Sequence, residues 1–261
     1  MSDKKALLAV SFGTSVAETR EKTIGAIEKD LSAAFPDRSL YRAWTSSIIR
    51  KKLLRTENLA IDSVEEAMDR MAMDGVTDVL VQPTHMLIGE EYNKAVDAIR
   101  AGAHRFARVT LGAPLLTTPE DLKALAQAMK DAFPTLAEDQ MLVWMGHGSD
   151  KTEDNVYLRL NERFAAEGTD NVIVGTVEFD PGFDGVRERI RARKPRQVLL
   201  APLMVVAGDH ALNDMAGDEP DSWKSLVAGE GTEPVCILKG MGEYPSVRAI
   251  YVRHAQCAAA L

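Results

Sequence analysis

Apolar residues in this chain fall into short continuous runs separated by longer amphipathic stretches. A short apolar run cut off by turn residues reads as a strand buried on both faces, the kind found in parallel sheets. In the first half such runs lie at 5–11, 40–44, 78–81 and 108–111. Between them, helical periodicity predicts helices at 17–34 and 92–106. Another helix has Val64, Ala67, Met68 and Met71 at i, i+3, i+4 and i+7, behind a capping-box pattern in Asp62-Ser63-Val64-Glu65. Thr118-Pro119-Glu120-Asp121 starts a further helix, with proline at its first position. That helix should bury Leu122, Leu125, Ala126, Met129 and Phe133.

The pattern then repeats. Strands are predicted at 141–145, 172–177, 197–203 and 234–238, and helices at 154–167, 182–193, 218–227 and 245–260. Strands alternating with helices predict an α/β fold with parallel sheets. The halves also match locally. Val79-Leu80-Val81-Gln82-Pro83 and Val198-Leu199-Leu200-Ala201-Pro202 are each followed six residues later by glycine, Gly89 and Gly208, and then by an acid, Glu90 and Asp209. Phe12-Gly13-Thr14 lines up with His147-Gly148-Ser149. The expected architecture is two duplicated Rossmann-like, flavodoxin-like lobes, each a doubly wound sheet, at 1–137 and 138–261. The cleft between them is the default ligand site.

Composition narrows the classes. With 46% hydrophobic and 27% charged residues, the chain of 261 residues is ordinary globular material. No apolar run approaches membrane-spanning length. Met1-Ser2-Asp3-Lys4-Lys5 leads straight into the first strand, without room for a signal peptide, so a cytoplasmic location is expected. Cys236 and Cys257 lack metal-type spacing and read as structural thiols. A net charge of −8 argues against nucleic acid or an anionic membrane as partner. A second copy of the chain remains open as a partner. Neither strand-end turn is a GxGxxG or a P-loop, so no nucleotide cofactor is expected.

Three side chains of the second half could carry chemistry. His147 follows its first strand between two glycines, Glu178 follows the second, and His210 lies in the loop after the third. In flavodoxin-like order these strands are neighbours, 2-1-3, and adjacent strands lie about 4.8 Å apart. Two imidazoles and a carboxylate would then meet at one sheet edge, a donor set suited to a first-row divalent metal with open positions. Taken singly, His147 or Glu178 also reads as an idle loop residue, and His210 as a capping or surface histidine. The first-half counterparts, Phe12, Thr45 and Glu91, could not form such a site. His85, in the matching first-half loop, either faces the cleft or is bonded to backbone. His104 and His254 read as surface or packing residues on helices. Asp209, Asp214 and Asp218 either orient the histidines or serve as loop and cap acids. Arg42, Arg50, Lys51, Lys52 and Arg55 form either a solvated helix face or a carboxylate clamp. The turns at 11–15 and 146–149 offer N–H groups and hydroxyls to anions.

These segments carry a family resemblance. Val10-Ser11-Phe12-Gly13-Thr14-Ser15, Met145-Gly146-His147-Gly148 and the run from Leu203 through Ala207-Gly208-Asp209-His210-Ala211-Leu212-Asn213-Asp214-Met215, continued by Asp221-Ser222-Trp223-Lys224, closely resemble the anaerobic-pathway sirohydrochlorin cobaltochelatases of cobalamin synthesis. The resemblance implies the class II chelatase fold, with the tetrapyrrole held between lobes. It implies that His147, Glu178 and His210 bind Co²⁺, and that His147 also accepts a proton. The substrate implied is sirohydrochlorin, rich in carboxylates, and Ser11, Gly13, Thr14, Ser15, Arg50 and His85 are the expected contacts for it. Some relatives accept Fe²⁺ for sirohaem synthesis, and the ligand types alone do not exclude Fe²⁺ or Ni²⁺. A protein that delivers the metal without catalysis would use the same three ligands. A two-lobed solute-binding protein fits less well, because such proteins are usually exported.

Overall fold

The computed structural model describes residues 4–148 and 155–261. Strand β1 (Lys5–Ser11) is buried from Ala6 onward, as a central parallel strand must be. β2 (Ser39–Trp44) and β3 (Asp78–Pro83) flank it in parallel, and β4 (Arg108–Leu111) pairs with β3. The strand order 2-1-3-4 is that of a flavodoxin-like sheet.

Helices α1 (Ala17–Arg20) and α2 (Ala26–Ala34) are joined through the π-helical residues Glu21–Gly25. The helix expected at 17–34 is therefore present with a wide turn inside it. Next come α3 (Ser47–Glu57), α4 (Val64–Met73) and α5 (Glu90–Gly102). α4 buries Val64, Ala67, Met68 and Met71 in one core cluster with Ala6, Leu8, Val10, Val79 and Val81. Its capping box is Ser63 with Glu66, one residue beyond the Asp62–Glu65 pairing expected. Asp62 is occupied otherwise: its carbonyl accepts the Trp44 N–H and its carboxylate pairs with Arg70. α6 (Pro119–Asp131) begins as expected, with the Thr117 and Thr118 N–H groups donating to the Asp121 carboxylate.

The second sheet repeats the plan. β5 (Gln140–Gly146), β6 (Val172–Thr176), β7 (Gln197–Pro202) and β8 (Glu233–Cys236) run parallel in the order β6-β5-β7-β8. The helices are α7 (Val156–Ala166), α8 (Gly182–Arg193) and α9 (Trp223–Gly229). The expected start of α7 at Asp154, and Ser149 of the preceding turn, lie outside the described residues. Asn155 caps α7, its side chain accepting from the Tyr157 and Leu158 N–H groups. α9 starts at Trp223 rather than at 218, because Ser222 is the residue that caps it.

The chain then returns to the first sheet. α10 (Pro245–Gln256) buries Val247, Ile250 and Tyr251, packing against α2 and β3. A short strand, β9 (Ala259–Ala260), pairs antiparallel with β4. The Tyr251 hydroxyl donates to the Thr84 carbonyl at 2.8 Å, and Asp121 takes His254 at 2.8 Å and Arg253 at 2.6 Å. The compact units are thus Met1–Asp121 with Pro245–Leu261, and Leu122–Tyr244. This corrects the expected division at 137/138: the closing helix has its apolar face on the first sheet, and so belongs to the first unit.

Candidate functional site

The site is built where β5 and β6 end. Met141 to Met145 are fully buried, so β5 is rigidly seated and Gly146 closes it. A Cβ on Gly146 would run into the Tyr157 ring. Tyr157 is buried, which pushes its phenol up in pKa, and it is hydrogen-bonded to the Gly148 backbone. Gly148 has φ +112°, and a Cβ there would overlap the Glu178 carbonyl. Glycine is required at this point both for the dihedral and for the close approach. The Glu178 N–H donates to the His147 carbonyl at 2.9 Å, which ties the two strand ends together.

The side chains follow the backbone. His147 Nδ1 lies 3.9 Å from Glu178 Oε2, and both side chains are about half exposed. The His147 and His210 rings meet edge to face, with centroids 4.9 Å apart. His210 precedes the π-helical turn Ala211–Met215, and its Nδ1 lies 2.6 Å from Asp214 Oδ2. A carboxylate at Nδ1 makes that nitrogen the donor and turns the Nε2 lone pair outward, a common arrangement behind metal-binding imidazoles. Of the three acids expected around the histidines, Asp214 alone is seen bonded to one. Asp209 accepts from Asn213, and Asp218 pairs with Lys224.

His147, Glu178 and His210 are therefore neighbours in the second unit. Donors on a four-coordinate ion at about 2.1 Å lie roughly 3.4 Å from one another, so the His147–Glu178 gap is only slightly wider. Among the described residues no three such groups already stand in coordinating arrangement.

The first unit has the same backbone plan with different side chains. There the Ser46 N–H donates to the Phe12 carbonyl as Glu178 does to His147, and Asn93 bonds Gly89 as Leu212 bonds Gly208. The counterparts of His147, Glu178 and His210 are thus Phe12, Ser46 and Glu91. Ser46 replaces the expected Thr45, whose N–H instead bonds the Ser11 carbonyl. These residues line a cavity of about 460 Å³ together with Trp44, Arg50 and Lys94.

The six expected substrate contacts are placed unevenly. Ser11 is buried and its Oγ accepts from Thr84, while the Thr14 hydroxyl accepts the Val16 N–H. Their hydroxyls are thus engaged within the fold. Gly13, at φ +104°, lets the Trp44 ring lie against the backbone. Ser15 accepts from Lys52, and Arg50 bonds Glu66 and the Ile61 carbonyl. The two ring nitrogens of His85 are buried without a hydrogen-bond partner among the described residues, and burial lowers its pKa to about 4. Neither the backbone-bonded reading of His85 nor a helix-face reading of Arg42 fits. Arg42 sits on β2 and grips Glu28 with both arms. His104 is exposed and His254 is packed against Asp121. Tyr157 is the residue that sequence reasoning missed, and its one signal was the glycine at 146 that makes room for it.

Two units, each with a parallel sheet of order 2-1-3-4, make up the fold of the class II chelatases. The chain matches the structure of SirB from Bacillus subtilis with Fe³⁺ at a TM-score of 0.65, with 17% identity over 97% of this chain and 94% of that one. More particularly, the chain belongs to the cobalt chelatase (CbiK) family, whose profile matches residues 5–260. It is 41% identical to the sirohydrochlorin cobaltochelatase of Salmonella typhimurium over 96% of this chain and 95% of the relative. It is 30% identical to the sirohydrochlorin cobaltochelatase CbiKC of Nitratidesulfovibrio vulgaris, over 96% and 89%. Among the described residues no helix is long and apolar enough to cross a membrane.

Proposed function

We infer that the chain inserts Co²⁺ into sirohydrochlorin, releasing two protons. The observation that carries this reading is the meeting of His147, Glu178 and His210 at one sheet edge, in a chain of this family. Insertion must hand over a divalent ion and take away two pyrrole protons. Three protein donors hold the ion while leaving positions that ring nitrogens can fill in turn. His147 accepts a pyrrole proton, which a histidine near neutrality can do. His210 keeps its metal-binding nitrogen outward because Asp214 bonds the other one. We place the reaction in the cytoplasm.

The test follows the absorption spectrum of sirohydrochlorin with Co²⁺, and in parallel with Fe²⁺ and Ni²⁺. Wild-type protein is expected to accelerate cobalt insertion above the uncatalysed rate. His147→Ala and His210→Ala should each lower that rate by about 100-fold or more, with the circular dichroism spectrum and melting temperature kept. Co²⁺ binding without acceleration would make this a delivery protein. Faster insertion of Fe²⁺ or Ni²⁺ would change the metal, and wild-type rates in either variant would remove the residue assignment.

A further inference from the structure

Phe179 directly follows Glu178, and two of its features are unexpected together. Its backbone has φ +60°, and its side chain is 57% exposed. A bulky residue in the left-handed region is an outlier, and glycine or asparagine would sit there at lower cost. A ring left mostly in water recovers little of that cost through burial. The turn is nevertheless firmly held. The Thr176 hydroxyl donates to the Phe179 carbonyl at 2.9 Å, and the Gly182 N–H donates to the same oxygen at 3.1 Å. Asn155 Nδ2 donates to the next carbonyl, that of Asp180, at 3.0 Å. The phenyl ring is thus held outward on a pinned turn, one residue from a carboxylate that neighbours His147. Near the other histidine, Leu212 is also 40% exposed, two residues after His210. Backbone outliers that a structure over-determines cluster where a ligand is gripped.

We propose that Phe179 is a contact for the conjugated face of the tetrapyrrole, holding the macrocycle beside the metal-donor set. The proposal rests on reading the site as that of a chelatase. Charged groups can grip the carboxylates at the substrate's periphery, but its flat face is apolar and π-rich. An aromatic ring meets such a face in offset-stacked or edge-on contact, with a gain beyond simple burial. The left-handed turn is what places a ring there without lengthening the loop.

The decisive variant is Phe179→Asn, which tolerates the same dihedral and removes the ring. Four quantities are read: sirohydrochlorin affinity without metal from tetrapyrrole fluorescence, KM and kcat for cobalt insertion, Co²⁺ affinity, and melting temperature. The expected result is a rise of about tenfold in Kd and KM for sirohydrochlorin, with Co²⁺ affinity unchanged and the melting temperature not lowered. Phe179→Tyr should restore both constants, and Phe179→Gly serves as a second ringless variant if the asparagine form is unstable. Wild-type sirohydrochlorin affinity in both ringless variants would overturn the proposal. Loss of Co²⁺ affinity in step with tetrapyrrole affinity would overturn it as well, by making the turn merely structural. If wild-type protein binds sirohydrochlorin but inserts no metal, the chelatase reading fails, and the ring contact still stands or falls on the measured Kd. If wild-type protein does not bind sirohydrochlorin at all, both fall.

Discussion

His85, its ring nitrogens buried with no hydrogen-bond partner among the described residues, makes protons act against the fold. Burial brings its pKa from 6.5 down to about 4 in the folded chain. As pH falls through 6.5 the unfolded chain takes up a proton that the folded chain refuses. Stability is therefore fully present above pH 6.5 and is lost progressively between 6.5 and 4, by up to about 3 kcal/mol. In urea unfolding at pH 7 and pH 4.5, His85→Phe should show a smaller acid loss than wild type. Equal losses would mean that the ring is protonated in the native protein. The residue type was legible here, since His85 stood out in its loop. The burial of its ring nitrogens without a hydrogen bond among the described residues was not, because Leu115 and Tyr92, which meet its backbone and ring, come from elsewhere in the chain. The same holds for Ser11 and Thr14, whose hydroxyls look available in the sequence but are engaged by Thr84 and Val16.

Turns between strands and helices show which local features a sequence can carry. Gly146-His147-Gly148 announces a sharp strand end, and the structure fills in why each glycine is there. Gly148→Ala would force a side chain onto φ +112° and against the Glu178 carbonyl. The expected cost is about 2 kcal/mol, with weaker Co²⁺ binding because His147 and Glu178 are pushed apart. Gly185→Ala is the control, since its Cβ meets nothing within 4 Å in a helix interior, and it should be neutral or stabilising. Thermal melts with a Co²⁺ titration check both, and equal effects of the two substitutions would refute the steric account. The π-helical stretches at Glu21–Gly25 and Ala211–Met215 were not legible. Each is only five residues long, too short for a periodicity to be read, so the first reads as part of a helix and the second as loop. The one-residue slip of the α4 capping box has a similar origin, since Asp62 and Ser63 are both good caps and only the Trp44 and Arg70 contacts decide between them.

For the chain as a whole, the internal repeat made the two sheets and their strand order readable, because each strand–helix pair is encoded locally. It misplaced the boundary for the same reason. A repeat suggests that each half closes upon itself, and nothing in the periodicity of 245–260 says which sheet that helix covers. Tyr251 settles it, fully buried with its hydroxyl on the Thr84 carbonyl. Tyr251→Ala should lower stability by about 3–5 kcal/mol. Hydrogen exchange should then quicken in β1, β3 and β4 while β5–β7 keep their protection. Uniform loss across both sheets would contradict the division into units.

That return of the carboxyl-terminal helix sets an order of events during synthesis. A ribosome completes residues 122–244 before it reaches Pro245. The sheet bearing His147, Glu178 and His210 has all its strands while the older sheet, begun first, still lacks its cover. On a growing chain the later-made unit can mature earlier, while the first sheet waits for the helix that packs on it.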